Sequence, residues 1–335
     1  MKKNINYGLL ILKSILAFYV VKTHCFNIKS INNKFLFYIL GKNRKIHVPS
    51  FFNMSFYFNY KGLISKESNR NCKRFERLLI PYIFWPIIVY LINIILFKCY
   101  KFPNKFNLRD LIIQLLLGVG IISPLWFQLN LMLTTLLFIF VIYIFKNRYL
   151  SFLQFLMIFS YYLQYSKYRD LILRNSKYKL QISIIREIMV IPFAVTGFSL
   201  AANNIINILQ KYKYKTFIFS SITFIFIDIF NIFINMNDYN GVQLNILSTC
   251  LIFIFSLFSF GKIKSKYLYI IEYITKYSAG IYYLHTTVYL YLKNYIFAIR
   301  KGTIRGTFLI YIICYLISYS GMSLFGKTKA KNLFT

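Results

Sequence analysis

The first apolar run of the chain, Gly8 to Phe26, contains Lys13 and His24. An ionisable group in hydrocarbon costs at least about 2.5 kcal/mol, so each calls for a reason. The two residues are eleven apart. At 100° per residue that separation falls about 20° past three full turns, so on a helix they share one face, about 16 Å apart along the axis. Lys22 falls about 180° from Lys13. It sits near the end of the run, where a long side chain can snorkel to water. For Lys13 and His24 two readings stand side by side. They are unrelated interfacial residues, or they mark a polar path through a bundle in which His24, an imidazole titrating near neutrality, acts as a general base.

Four further stretches carry chemistry. In "RFERLLIPYIFW", Arg74 and Arg77 are three apart and neighbours on a helix surface. A paired-arginine site suits phosphate, although an ordinary basic flank of a membrane span looks the same. "PLWFQLNLMLT", from Pro124, reads as a helix start with interfacial aromatics. "IREIMVIPFAVTGFSLAANN" places Arg186 and Glu187 at the start of an apolar run. Glu187 and Asp228 are the clear acids within apolar runs, and either suits orienting an imidazole, although Glu187, near the start of its run, reads first as interfacial. "YSAGIYYLHTTVY" puts His285 inside a late run, where a histidine is either a hydrogen-bonded structural group or a catalyst. His47, at the edge of the second run, reads as interfacial.

The elements that position these residues are apolar helices. Of 335 residues, 58% are hydrophobic and 20% aromatic, and runs of about 18 apolar residues recur throughout. This pattern predicts an all-α polytopic membrane protein of about ten transmembrane helices in a single bundle. The spans are 8–26, 46–64, 78–98, 124–145, 149–165, 182–205, 215–234, 243–261, 277–296 and 304–325. A shorter run at 111–122 is interfacial or re-entrant. The second span is the least apolar, because Asn53 and Asn59 interrupt it. The whole chain, 1–335, reads as one membrane domain with no soluble appendage and a retained first span.

The net charge of +33 lies in short loops between the runs. It therefore points to anionic lipid and not to nucleic acid. Its distribution favours cytoplasmic termini by a small margin. Lys293, like Lys22, lies near a span end. Five scattered cysteines show no CxxC spacing, and no metal is expected. No Walker loop, dinucleotide fingerprint, GxSxG or HExxH is present.

Taken in order, these stretches resemble the membrane-bound acyltransferase 3 family, which includes bacterial O-acetyltransferases of surface polysaccharides. The family's first span carries Arg, ten residues, then His, and Lys13 and His24 stand at those places. Its "VPxFFxxSGF" is similar to "VPSFFNMSFYF" from Val48, with Phe56 where the family has glycine. Arg74 and Arg77 match its Arg-x-x-Arg before "LLIPY". "PLWFQ", "PFAVTGFSL" from Pro192 and "SAGIYYLH" from Ser278 resemble its "PLWFL", "PFFLLGYLL" and "SYGIYLIH".

The resemblance implies transfer of an acyl group, usually acetyl, from cytoplasmic acyl-CoA to a hydroxyl of a cell-surface or exported polysaccharide. The enzyme would sit in the inner or plasma membrane as a multi-pass protein. His24 would deprotonate the acceptor hydroxyl or relay the acyl group, and Lys13 would place positive charge along the donor path. Arg74 and Arg77 would hold the CoA phosphates, with His285 and Glu187 as second-tier candidates. The implied partners are acyl-CoA, the glycan acceptor and membrane lipid. Two other readings remain: a transporter or flippase for a lipid-linked glycan, since intramembrane charges suit it equally, and a catalytically decayed relative in an envelope complex.

Overall fold

The computed structural model describes residues 6–25, 46–65, 68–100, 108–118, 125–165, 179–233, 240–257, 269, 281, 285, 288, 289, 292 and 304–325. Among them the regular elements are helical: α1 (Tyr7–Cys25), α2 (His47–Ile64), α3 (Ser68–Tyr100), α4 (Leu108–Leu117), α5 (Leu125–Phe145), a 3-10 turn at Lys146–Arg148, α6 (Tyr149–Tyr165), α7 (Lys179–Ala202), α8 (Ile205–Gln210), α9 (Lys213–Phe233), α10 (Gly241–Leu257) and α11 (Ile304–Phe325). The predicted spans fall on these helices, apart from 277–296, most of which lies outside the described residues. The short run at 111–122 contributes to α4. Two stretches, Leu125–Tyr165 through α5 and α6, and Leu180–Ala202 of α7, are long and apolar enough to cross a membrane.

One boundary differs from expectation. α3 begins at Ser68, well ahead of its apolar run, so Arg74 and Arg77 lie inside a helix of 33 residues. The segment from Ser68 to Arg77 contains no glycine or proline, and its Arg, Lys and Glu residues favour helix. Polar and apolar turns therefore propagate as one element.

The helix ends follow local chemistry. Asn6 caps α1, its Oδ1 accepting from the Leu9 N–H at 3.3 Å. Asn240 and Gln243 form a reciprocal capping box at the start of α10, with bonds of 2.8 and 3.0 Å. Gly118, at φ +62°, closes α4. A Cβ there would meet the Cα of Trp126 at 2.9 Å, so glycine also admits the start of α5.

The chain divides into two compact units, the first comprising Met1–Tyr60 and Pro192–Leu324, the second Lys61–Ile191 with the chain's last residues. In the first unit, Leu9, Leu12 and Leu16 of α1 pack with Met54 of α2, Ile206 of α8 and Ile252 of α10. The Asn6 side chain donates to the Ser256 carbonyl at 3.2 Å, so α1 runs antiparallel to α10. Further along α1, Val21 packs with Ile281 and with Tyr311 and Cys314 of α11. The Tyr311 hydroxyl donates to the Phe18 carbonyl at 3.1 Å.

A polar knot ties α2, α7 and α10 within the same unit. Asn53 Nδ2 donates to Ser248 Oγ at 2.6 Å and lies 3.5 Å from Asn245 Oδ1, while Asn245 Nδ2 donates to Thr196 Oγ1 at 2.7 Å. Asn53, which lowers the hydropathy of the second span, is thus a fully buried tie between helices. Beside it, a Cβ on Gly197 would collide with the Asn53 backbone. Phe56, at the family's glycine position, is fully buried. The close approach of α2 occurs one turn earlier, with the glycine on the partner helix.

In the second unit, Tyr82 and Val89 of α3 pack with Leu125 and Met132 of α5, flanked by Leu115 of α4. The Tyr82 hydroxyl lies 3.2 and 2.7 Å from the Gln114 and Leu115 carbonyls at the end of α4. Proline interrupts two helices, and glutamines from neighbours serve the exposed backbone. Pro192 leaves the Ile188 carbonyl without its helical donor, and Gln164 of α6 donates to it at 3.4 Å. Beside Pro81, Gln128 of α5 donates to the Leu78 carbonyl.

The α2–α7 crossing yields a test. Gly197→Ala forces apart two backbones in contact and is expected to lower stability by about 1–3 kcal/mol. Thermal melts of the solubilised protein followed by size-exclusion chromatography read this out, and an unchanged melting temperature would mean that the crossing is not tight.

Candidate active site

The face of α1 that carries Lys13 is its packed face; the side chain of His24 lies outside the described ones. Ala17 and Val20 lie between them on the same stripe, four and seven residues after Lys13, and both are buried. Lys13 itself is half-buried beside the leucine cluster, and His24 occupies the last turn of the helix, one turn beyond Val20. Lys22 departs from the sequence reading. It is buried, with its Nζ 4.7 Å from the Tyr19 ring centroid, so the C-terminal end of α1 is covered on the opposite side as well. A cation–π contact of this kind offsets part of the cost of taking the ammonium out of water.

His285 belongs to the same unit as α1. It is fully buried, its Nδ1 is 3.0 Å from the Ile281 carbonyl, and its own carbonyl accepts from Cys314 Sγ at 3.2 Å. The Nδ1 contact selects the tautomer with the proton on Nδ1, because a carbonyl can only accept. Nε2 is then the basic atom. Ile281 packs with Val21, one turn before His24 on α1. His47, expected at the interface, is buried. Lys293 lies outside the described residues.

The second unit holds the arginines and Glu187. Arg74 turns inward and Arg77 stays exposed, although the two are neighbours on α3. Arg74 Nη2 donates to Thr135 Oγ1 at 3.2 Å. Thr135 is the middle residue of α5, about 15 Å from either end at 1.5 Å per residue. The guanidinium therefore reaches the mid-level of an apolar helix and does not rest at its rim. On the adjoining residue, Thr134 Oγ1 lies within hydrogen-bond distance of Glu187 Oε1, at 2.8 Å. Consecutive threonines of α5 thus connect a cation on α3 with a carboxyl group on α7. Arg186 does not pair with Glu187 here; it lies over Trp126, 5.0 Å from the ring centroid.

Sequence reasoning missed the polar groups of α5. Gln128, Asn130, Thr134 and Thr135 are each at most 1% exposed inside the longest apolar stretch of the described chain. The motif "PLWFQLNLMLT" was read for its aromatics. The informative signal was instead the amides and hydroxyls within the apolar run, which in a helix bundle mark contacts between helices. Asp228 is half-buried on α9. Among the described residues no group of three or more His, Cys, Asp or Glu is placed to hold a metal ion.

A family model described as an acyltransferase domain, acyltransferase 3, matches residues 6–325. No curated protein and no solved structure matches. The family match takes in α1 with Lys13 and His24, the Arg74–Thr135 contact and the His285 segment, and nearly the entire length between. On that match the chain belongs to the acyltransferase 3 family.

Proposed function

We propose that this protein is a multi-pass O-acyltransferase of the inner or plasma membrane, a bundle of about ten spans with cytoplasmic termini. It moves an acyl group, usually acetyl, from cytoplasmic acyl-CoA to a hydroxyl of a cell-surface or exported polysaccharide. The observation that carries this reading is the inward turn of Arg74 to the middle of α5, in a chain whose family match runs from residue 6 to 325. An arginine serving only as a basic flank has no need to enter the bundle.

In this reading His24 takes the proton of the acceptor hydroxyl as its oxygen attacks the thioester carbonyl. The carbon–sulfur bond breaks, and the proton passes to the departing CoA thiolate. The products are the ester and free CoA. Lys13, on the same face of α1, supplies positive charge to the acyl-donor path. Arg74 and Arg77 hold the CoA phosphates, for which guanidinium geometry is suited. His285, with Nε2 as its basic atom, and Glu187 support these groups as second-tier candidates.

Membranes containing the protein are expected to transfer label from [14C]acetyl-CoA to glycan. His24→Ala should reduce the rate by about 10²–10⁴, the usual contribution of a general base, at an unchanged protein level. Full activity in that variant would remove the role given to His24. Export of glycan that depends on the protein but not on acyl-CoA would favour a flippase instead. Arg77→Ala should raise KM for acetyl-CoA about tenfold with little change in kcat, as expected for lost ground-state binding. An equal fall in kcat and kcat/KM would place Arg77 in the chemical step.

A further inference from the structure

Two buried polar atoms beside the Arg74 contact have no hydrogen-bond partner. Asn130 is 1% exposed, and its Nδ2 donates to nothing. Glu187 Oε1 lies 2.8 Å from Thr134 Oγ1, and its Oε2 is buried with no hydrogen-bond partner. The two are linked through one residue. Thr134 lies one turn beyond Asn130 on the same face of α5 and donates to the Asn130 carbonyl at 2.6 Å, while its hydroxyl oxygen sits 2.8 Å from Glu187. A buried donor or acceptor left unsatisfied is costly, and here one of each kind is left open, one turn apart along α5. The complement of an open donor together with an open acceptor is a group with one carbonyl and one N–H.

We propose that Asn130 and Glu187, joined by Thr134, form a subsite for a secondary amide of the donor's pantetheine arm. Asn130 Nδ2 donates to the amide carbonyl, and Glu187 Oε2 accepts from the amide N–H. This inference rests on the acyl-CoA reading given above. Two groups in the reaction carry secondary amides: the pantetheine arm and any N-acetylated sugar of the acceptor. The subsite adjoins the Thr135 contact of Arg74, the residue assigned to the CoA phosphates, and this favours the donor. Pantetheine amides follow the pyrophosphate along the same chain, so phosphate and amide contacts on successive faces of one helix would align it. The assignment also accounts for Thr134 and Thr135 serving different neighbours although adjacent: one orients the carboxyl group, the other the guanidinium.

The test is equilibrium binding of labelled acetyl-CoA to the full-length protein in nanodiscs, with displacement by unlabelled pantetheine and, separately, by N-acetylglucosamine. Asn130→Leu removes the donor at similar volume. It should weaken acetyl-CoA and pantetheine by the same factor, about threefold to thirtyfold, while the melting temperature of the unliganded protein holds or rises because an unsatisfied amide has been removed. Glu187→Leu should weaken both ligands likewise, and Arg77→Ala should weaken acetyl-CoA alone. Asn130→Ala gives the same readout if the leucine variant does not fold.

Unchanged pantetheine affinity in the Asn130 variants overturns the subsite. So does a loss seen only against N-acetylglucosamine, which would assign the amide to the acceptor. If the wild-type protein binds no acetyl-CoA, the donor reading itself fails, a result distinct from a wild type that binds and an Asn130 variant that binds equally well.

Discussion

Inside an apolar bundle a polar group without a partner is costly, and much of this chain's packing follows from that cost. Helices settle the backbone, but proline and polar side chains reopen the question at particular points. At Pro192 the carbonyl of Ile188 is covered by Gln164, and beside Pro81 the carbonyl of Leu78 is covered by Gln128. Asn53, Ser248, Asn245 and Thr196 cover one another. Each of these bonds also fixes which helices are neighbours, because an apolar contact tolerates sliding and a hydrogen bond between side chains does not. Polar residues that look like faults in apolar runs are the contacts that give those runs a defined packing.

The same cost explains which parts were legible in the sequence. Helix positions were, because uninterrupted apolar runs admit little else, and α1, α5 and α11 begin and end within a residue or two of the predicted limits. The start of α3 was not, because hydropathy marks where a run becomes apolar and not where helix begins; the helix-favouring residues from Ser68 to Arg77 carry no such mark. On α1 the stripe that runs through Lys13 is packed, as the buried Ala17 and Val20 show. Burial of Lys22 was not legible, because periodicity assigns it to the far side of α1 without saying what covers that side.

The sequence singles out the candidate residues one at a time and does not give their arrangement. Arg74 and Arg77 are equivalent in sequence, three apart in a basic segment, and only tertiary packing separates an inward guanidinium from an exposed one. Glu187 stood out as an acid in an apolar run, but its partner Thr134 did not, since threonine is unremarkable to any scan for charge or motif. The partner chosen by a buried ionisable group depends on which helix lies opposite it, and one chain's spacing does not encode that.

Adjacent residues on α5 resolve what would otherwise be two separate burial problems. A guanidinium and a carboxylate brought into direct contact in a low-dielectric interior attract strongly but are then locked, and neither is easily given up to a ligand. Hydroxyls placed between them leave each group anchored by one bond with further capacity: a guanidinium has five N–H donors, and a carboxyl group has a second oxygen. Thr135 occupies one donor of Arg74, and Thr134 one oxygen of Glu187. Threonine suits this position because it sits in the helix with its hydroxyl bonded to the carbonyl four residues back, as Thr134 does to Asn130 and Thr135 to Leu131. The hydroxyls are therefore held in place by their own helix, and the guanidinium and the carboxyl group are each oriented without direct contact with the other.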